Sequence, residues 1–397
     1  MSEHDVRLQQ LQTWLAEQLP PLFAAREWGV VPEAELTPAS SDASFRRYFR
    51  WQAGERSLIL MDAPPPQENC EPFVRIAALL SSAGVHVPQV LAADLEQGFL
   101  ILDDLGRQTY LDVINEHNAD QLFDDAIEAL LQQQRLPLDS HLPHYDEALL
   151  RRELQLFPEW YVQRHLGLTF TPEQDAAWQR ISRLLIDSAL AQPKVVVHRD
   201  FMPRNLMQSS PNPGVLDFQD AVNGPVTYDI TCLFKDAFLS WPEARVQAWL
   251  HGYWERAKAA GIPLQASFED FLRASDLMGV QRHLSTGAAS CLATASLLAP
   301  PVLTASRLCT GRGGRALAAD FGAQAQPPVG DAWQSYCSAA KDCRLNAGCK
   351  ARRLPVTSSG NFLRNAGYFT AILLVRASCA LSAQGPHASR WAEKDAG

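Results

Sequence analysis

The sequence predicts an α+β protein of two lobes: a small β-rich lobe over residues 1–103 and a larger, mainly helical lobe over residues 104–284. Three observations carry this expectation. Two hairpins alternate apolar and polar residues within the first hundred positions. Helical periodicity dominates after Gly106. Two short apolar runs, Val195-Val196-Val197 and Val215-Leu216, interrupt the helices, and each delivers the chain to a polar loop.

Residues 5–25 carry Leu8, Leu11, Leu15 and Leu19 at helical spacing, so an amphipathic helix opens the chain. Ser44 to Trp51 alternates around Phe45 and Phe49, and the turn Gln52-Ala53-Gly54-Glu55 leads to a second strand, Ser57 to Asp62. Pro64-Pro65-Pro66 ends that strand because proline has no amide to give a ladder. Glu71 to Ala83 places Phe73, Ile76, Ala77 and Leu80 on one helical face, and Gly84 closes it. Val90–Ala93 and Phe99–Leu102 form a second hairpin around Glu96-Gln97-Gly98, after which Asp103-Asp104-Leu105-Gly106 breaks the pattern. Leu122, Phe123, Ile127, Leu130 and Leu131 make an apolar helical stripe. Thr171-Pro172-Glu173-Gln174 is a capping box with proline at the first helical position, opening a helix to about Leu190.

Composition narrows the function. Nearly half the 397 residues are hydrophobic, enough to bury a core, and the net charge of −9 gives no electrostatic basis for nucleic-acid binding. Met1 to Leu11 has no apolar segment of the kind a signal peptide needs, and no run of about 18 apolar residues occurs. The expectation is a cytoplasmic monomer with no membrane partner.

The chemistry concentrates at His198-Arg199-Asp200-Phe201-Met202-Pro203-Arg204-Asn205 and at Asp217-Phe218-Gln219-Asp220, each following a strand. Phosphoryl transfer asks a protein for an oriented nucleophile, divalent cations on the phosphates and compensation of charge. Asp200 can accept a hydroxyl proton. Asn205 and Asp217 offer oxygen ligands suited to magnesium, a hard cation.

These residues resemble the catalytic and metal loops of the aminoglycoside phosphotransferase and choline kinase family. The resemblance implies a bilobal protein-kinase-like fold and use of ATP and Mg2+. It also implies that Asp200 is the catalytic base, that Asn205 and Asp217 are the metal ligands, and that His198 is structural. Gly224-Pro225-x-x-Tyr228-Asp229-Ile230 is similar to the segment after that family's metal loop, where the Asp begins a helix and braces the catalytic loop. Asp220 is placed either behind the metal ligands, steadying them, or against the substrate. Within the family, closer similarity is to bacterial anomeric sugar kinases that phosphorylate N-acetylmuramate and N-acetylglucosamine at the C1 hydroxyl during cell-wall recycling. It is carried by Asp42-Ala43-Ser44-Phe45-Arg46-Arg47-Tyr48-Phe49-Arg50, Leu60-Met61-Asp62-Ala63-Pro64-Pro65, Leu156-Phe157-Pro158-Glu159-Trp160-Tyr161 and Leu216-Asp217-Phe218-Gln219-Asp220-Ala221. A small-molecule amino sugar is the substrate this implies.

Two departures stand out. The strand Ser57–Asp62 offers Met61 and no lysine, where kinases of this type carry a phosphate-binding lysine. The phosphate-covering loop has Ser40, Ser41, Asp42, Ala43 and Ser44 in place of glycines. The nucleotide candidates are therefore Ser41, Ser44, Arg46 and Arg47, with Arg50 also available, and Asp104 at the hinge. Adjacent Arg46 and Arg47 point to opposite faces of a regular strand. Phe157, Trp160 and Tyr161 lie at helical spacing and read as a core stripe or a sugar-stacking platform. Two other functions stay open: a kinase for another hydroxyl metabolite, such as an aminoglycoside or a choline-like alcohol, with Glu153, Asp220 and Asp236 facing a cationic substrate, and a catalytically impaired nucleotide-binding module.

Residues 285–397 differ in kind. Residues 1–284 hold 39 acidic and 23 basic residues, whereas 285–397 hold 5 acidic and 12 basic ones and six of the eight cysteines. Cys337, Cys343 and Cys349 form no Cys-x-x-Cys pair, which argues against a zinc site. The reversal of charge and loss of periodicity suggest a shifted reading frame or a basic extension. Translating the coding DNA from codon 284 in the other frames separates the two.

Overall fold

Helix α1 (Glu3–Ala25) lays Leu11, Trp14, Leu15, Leu19, Leu22 and Phe23 on one face of an antiparallel sheet, where they meet Trp51, Leu58, Leu60, Phe99 and Ile101. The structure is a computed structural model that describes residues 3–41, 45–165, 167–235 and 239–296. The sheet comprises β1 (Glu35–Ser41), β2 (Arg47–Ala53), β3 (Arg56–Asp62), β4 (Val90–Asp94) and β5 (Phe99–Asp103), in the order β1-β2-β3-β5-β4. Alternation puts Leu58 and Leu60 of β3 on the face that α1 covers, and Met61 on the other, where it is also buried.

The β2–β3 hairpin pairs Phe49 with Leu60 and Ala53 with Arg56, and Gly54, at φ +60°, supplies the left-handed turn residue. Strand β1 was not expected from the sequence. Its Ser40-Ser41 end reads as part of the phosphate-covering loop, and the ladder with β2 slips between Pro38 and Ser40. Strand β2 begins at Arg47 rather than Ser44. After β3 the chain turns back so that the Ala63 amide donates to Gly98 O at 2.8 Å. Helix α2 (Glu71–Ser82) then connects β3 to β4, and Gly84 at φ +87° follows its end.

Beyond β5 the chain is mainly helical, as the α+β class requires: α3 (Tyr110–Val113), α4 (Ala119–Gln134), α5 (Glu147–Leu156), α6 (Pro172–Leu190), α7 (Tyr228–Phe234), α8 (Glu243–Ala259) and α9 (Phe268–Ser296). The capping box forms at α6, with the Thr171 amide donating to Gln174 Oε1 and the Gln174 amide to Thr171 Oγ1. Between α5 and α6 a π-helix spans Phe157–His165. Pro158 lies in it, and a proline cannot supply the amide that an α-helical ladder needs.

Four short strands punctuate the helices. β6 (Lys194–Val197) pairs antiparallel with β9 (Val222–Pro225), and β7 (Leu206–Met207) with β8 (Gly214–Val215). The second expected apolar strand thus ends at Val215, and Leu216 leaves the ladder.

The described residues divide into two compact units, those within 1–152 and 182–279, and those within 153–181 and 280–296. The first holds the five-stranded sheet and both two-stranded ladders. Described parts of the second include a stack of Phe157 with Tyr161 and Trp178, and a hydrogen bond of 3.0 Å from Gln281 Nε2 to Glu153 Oε2. Trp160 carries the Arg164 guanidinium 3.7 Å from its ring centroid. Residues 297–397, with the expectations on Cys309, Cys337, Cys343, Cys349 and Cys379, lie outside the described residues, as do Ser44 and Asp236. No helix among the described residues is long and apolar enough to cross a membrane.

Candidate active site

Two loops meet within the first unit. One links β6 to β7 and carries Asp200 and Asn205. The other links β8 to β9 and carries Asp217 and Asp220. Their approach is fixed by backbone bonds: the Leu216 amide donates to Asn205 O at 2.9 Å, and His198 Nε2 lies 2.9 Å from Leu216 O. A carbonyl only accepts, so Nε2 is the donor, while Nδ1 accepts the Asp200 amide at 3.2 Å. The buried His198 ring therefore ties the first loop to the second.

Asp229, in the first turn of α7, is fully buried. Its carboxylate accepts the His198 amide at 2.7 Å, the Arg199 amide at 3.0 Å and Gln133 Nε2 at 2.8 Å. Burial pushes its pKa up, while the hydrogen bonds from these donors pull it down. Arg199 sits at φ +76° and Asp217 at φ +64°, both left-handed positions that cost a side-chain-bearing residue energy. At Arg199 the bond to Asp229 holds that conformation.

Asn205 is the junction. A 3-10 turn, Pro203–Asn205, presents it. Its Nδ2 donates to Asp200 O at 2.9 Å and to Asp217 Oδ2 at 3.3 Å. Gln219 Nε2 donates to Asp217 Oδ1 at 2.8 Å. With both amide protons committed, Oδ1 is the atom of Asn205 that can meet a cation. Among the described residues no group of three or more His, Cys, Asp or Glu side chains could hold a metal ion. One amide oxygen and one carboxylate instead suit Mg2+, a hard cation that takes few protein ligands, and Asn205 and Asp217 would be the residues to hold it.

The nucleotide candidates separate. Arg47 pairs with the fully buried Asp62, which also takes Arg7 from α1. Arg50 grips Asp104 with two bonds, 2.5 and 3.0 Å, and reaches Gly106 O at 2.7 Å. The Asp104 carboxylate also accepts the Gly106 amide at 3.0 Å. Its side chain therefore fixes the turn after β5. Arg46 pairs with Glu68 at 2.9 Å. Ser41 ends β1 opposite Arg47. Asp220 is exposed.

Glu68, Asp62, Gln133 and Gln219 were not singled out from the sequence. Gln133 left a trace, a polar residue three positions after Leu130 on the apolar stripe of α4. Glu68 left none, because it lies in a proline-rich turn without periodicity.

Two short antiparallel ladders that bring Asn205 onto both the Asp200 backbone and the Asp217 carboxylate are the framework of a phosphoryl-transfer enzyme. Residues 35–263 match the phosphotransferase enzyme family, and the chain belongs to it. It is similar to the N-acetylmuramate/N-acetylglucosamine kinase of Pseudomonas putida, 73% identical over 284 residues that cover 72% of this chain and 84% of that protein. The protein of the same name from Pseudomonas aeruginosa is 68% identical over 280 residues, covering 70% of this chain and 83% of its own. That from Neisseria meningitidis is 44% identical over 262 residues, covering 64% and 78%.

Proposed function

We propose that this kinase transfers the γ-phosphoryl group of ATP to the anomeric hydroxyl of N-acetylmuramate and N-acetylglucosamine. The sugar 1-phosphate and ADP are released, in the cytoplasm, as a step of peptidoglycan recycling. The observation that carries the site is the contact of Asn205 with both Asp217 and the Asp200 backbone. The substrate rests on the relatives at 68–73% identity.

In this reading Asp200 orients the C1 hydroxyl and accepts its proton as the new O–P bond forms and the bond to the β-phosphate oxygen breaks. Asn205 Oδ1 and the Asp217 carboxylate hold Mg2+, which, when bound, neutralises charge on the phosphates. Gln219 and Asn205 fix the two Asp217 oxygens. His198 and Asp229 hold the backbone that aims Asp200. Residues 1–103 form the nucleotide-binding lobe and 104–284 the catalytic lobe.

A coupled ADP-release assay with N-acetylmuramate, N-acetylglucosamine, choline and an aminoglycoside tests the assignment. Turnover with the two amino sugars alone supports it. Preference for choline or the aminoglycoside replaces the substrate, and ATP binding without turnover of any of the four removes the activity.

A further inference from the structure

Two neighbours divide the Asp217 carboxylate between them. Gln219 Nε2 donates to Oδ1 at 2.8 Å, and Asn205 Nδ2 donates to Oδ2 at 3.3 Å. The same Nδ2 reaches Asp200 O at 2.9 Å, so Asn205 is fastened on the Oδ2 side of the carboxylate. The loop has little freedom to exchange these partners. Between Asp217 and Gln219, Phe218 is fully buried, its ring 4.8 Å from that of Phe73 on α2. The Ala221 amide then closes a turn onto Phe218 O at 3.1 Å. With the chain anchored at Phe218, Gln219 turns its amide back onto the aspartate two residues before it. Gln219 is neutral, so it orients the carboxylate without adding charge to the site.

We infer that Gln219 is a positioning residue that makes Asp217 a one-oxygen metal ligand through Oδ2, and that it thereby favours Mg2+ over Ca2+. A cation held by Asn205 Oδ1 lies on the side of Asn205 and meets Oδ2, while Oδ1 is drawn the other way by Gln219. Mg2+ demands a near-ideal octahedron, which the narrow bite of a carboxylate gripping with both oxygens distorts. Ca2+ takes more oxygens at longer range in a flexible shell and accepts that bite. A carboxylate restricted to one oxygen therefore suits the smaller ion. Gln219 acts through Asp217 and need not touch the cation. The inference deepens the reading of Asn205 and Asp217 as metal ligands and rests on it.

Displacement of Mn2+ from the full chain by Mg2+ and by Ca2+, with ADP present and followed by electron paramagnetic resonance, tests it independently of turnover. Gln219→Leu removes the donor at similar volume and should shift the preference toward Ca2+ by about tenfold. Gln219→Glu, nearly isosteric, withdraws the donor and adds an oxygen, and should shift it in the same direction. It is read by the same criterion should the leucine variant fail to fold. An unchanged ratio of Mg2+ to Ca2+ affinity overturns the inference, whether both ions keep their affinity or lose it by the same factor. A wild-type chain that binds no Mn2+ overturns it together with the ligand roles of Asn205 and Asp217. A wild-type chain that prefers Mg2+ through Gln219 and phosphorylates neither sugar would overturn the kinase reading and not this one.

Discussion

Asp229 accepts the backbone amides of both His198 and Arg199, at 2.7 and 3.0 Å, so one buried carboxylate sets the direction in which the chain enters the Asp200 loop. Replacing it with alanine strands two amides and the Gln133 side chain. Asp229→Ala should cost about 3 kcal/mol or more of stability by denaturant unfolding. Asp229→Asn keeps the shape but turns an NH2 group toward a donor, so kcat should fall even where the variant folds.

Gly98 sits at φ +75°, and a Cβ there would lie 2.0 Å from Ala63 O. Its carbonyl also receives the Ala63 amide that turns the chain toward Glu68. Gly98→Ala should destabilise the protein by about 2 kcal/mol or more, because backbone rather than a movable side chain must yield. Chemical denaturation of the two proteins side by side checks this.

The Arg50–Asp104 pair is buried, so removing one partner leaves the other charge without compensation. Asp104→Ala should cost about 3–5 kcal/mol, whereas breaking the exposed pair Arg151–Glu147 should leave the stability nearly unchanged. Thermal unfolding of both variants separates them.

Cys70 is buried beside Arg46 and Glu68, and burial, as the largest influence, raises its thiol pKa to about 11 from 9.0. The folded state therefore holds this proton more tightly than the unfolded chain. Its contribution to stability is full below pH 9 and is lost as pH rises toward about 11. At pH 8 the thiolate fraction should be about a hundredfold lower than in the unfolded chain, two pKa units being a factor of a hundred. Peptide mapping after iodoacetamide treatment should find Cys70 unmodified in the native protein and modified in denaturant.

The Asp200–Asn205 and Asp217 loops were legible in the sequence because short apolar runs and polar residues at fixed spacing mark them locally. So were α1, α2, the β2–β3 hairpin and the cap of α6, each set by periodicity or turn chemistry. The missed features depend on partners remote in sequence. Nothing in the spacing of Arg46, Arg47 and Arg50 tells which carboxylate each will meet. Those partners, Glu68, Asp62 and Asp104, arrive from a turn, a neighbouring strand and the end of β5. β1 was missed because Pro38 and the serines argue against a strand, and an edge strand tolerates them. The π-helix at Phe157–His165 was read as regular helical spacing, since the aromatic positions alone do not reveal the wider turn.

Steady-state kinetics of Asp200→Ala against wild type test the proposed role of Asp200 as acceptor of the sugar hydroxyl proton. With N-acetylmuramate and N-acetylglucosamine as acceptors, kcat should fall by about a hundredfold to ten-thousandfold while KM for ATP stays within a few-fold, as expected for loss of a general base. Turnover that survives the substitution at the wild-type rate would rule out Asp200 as the general base.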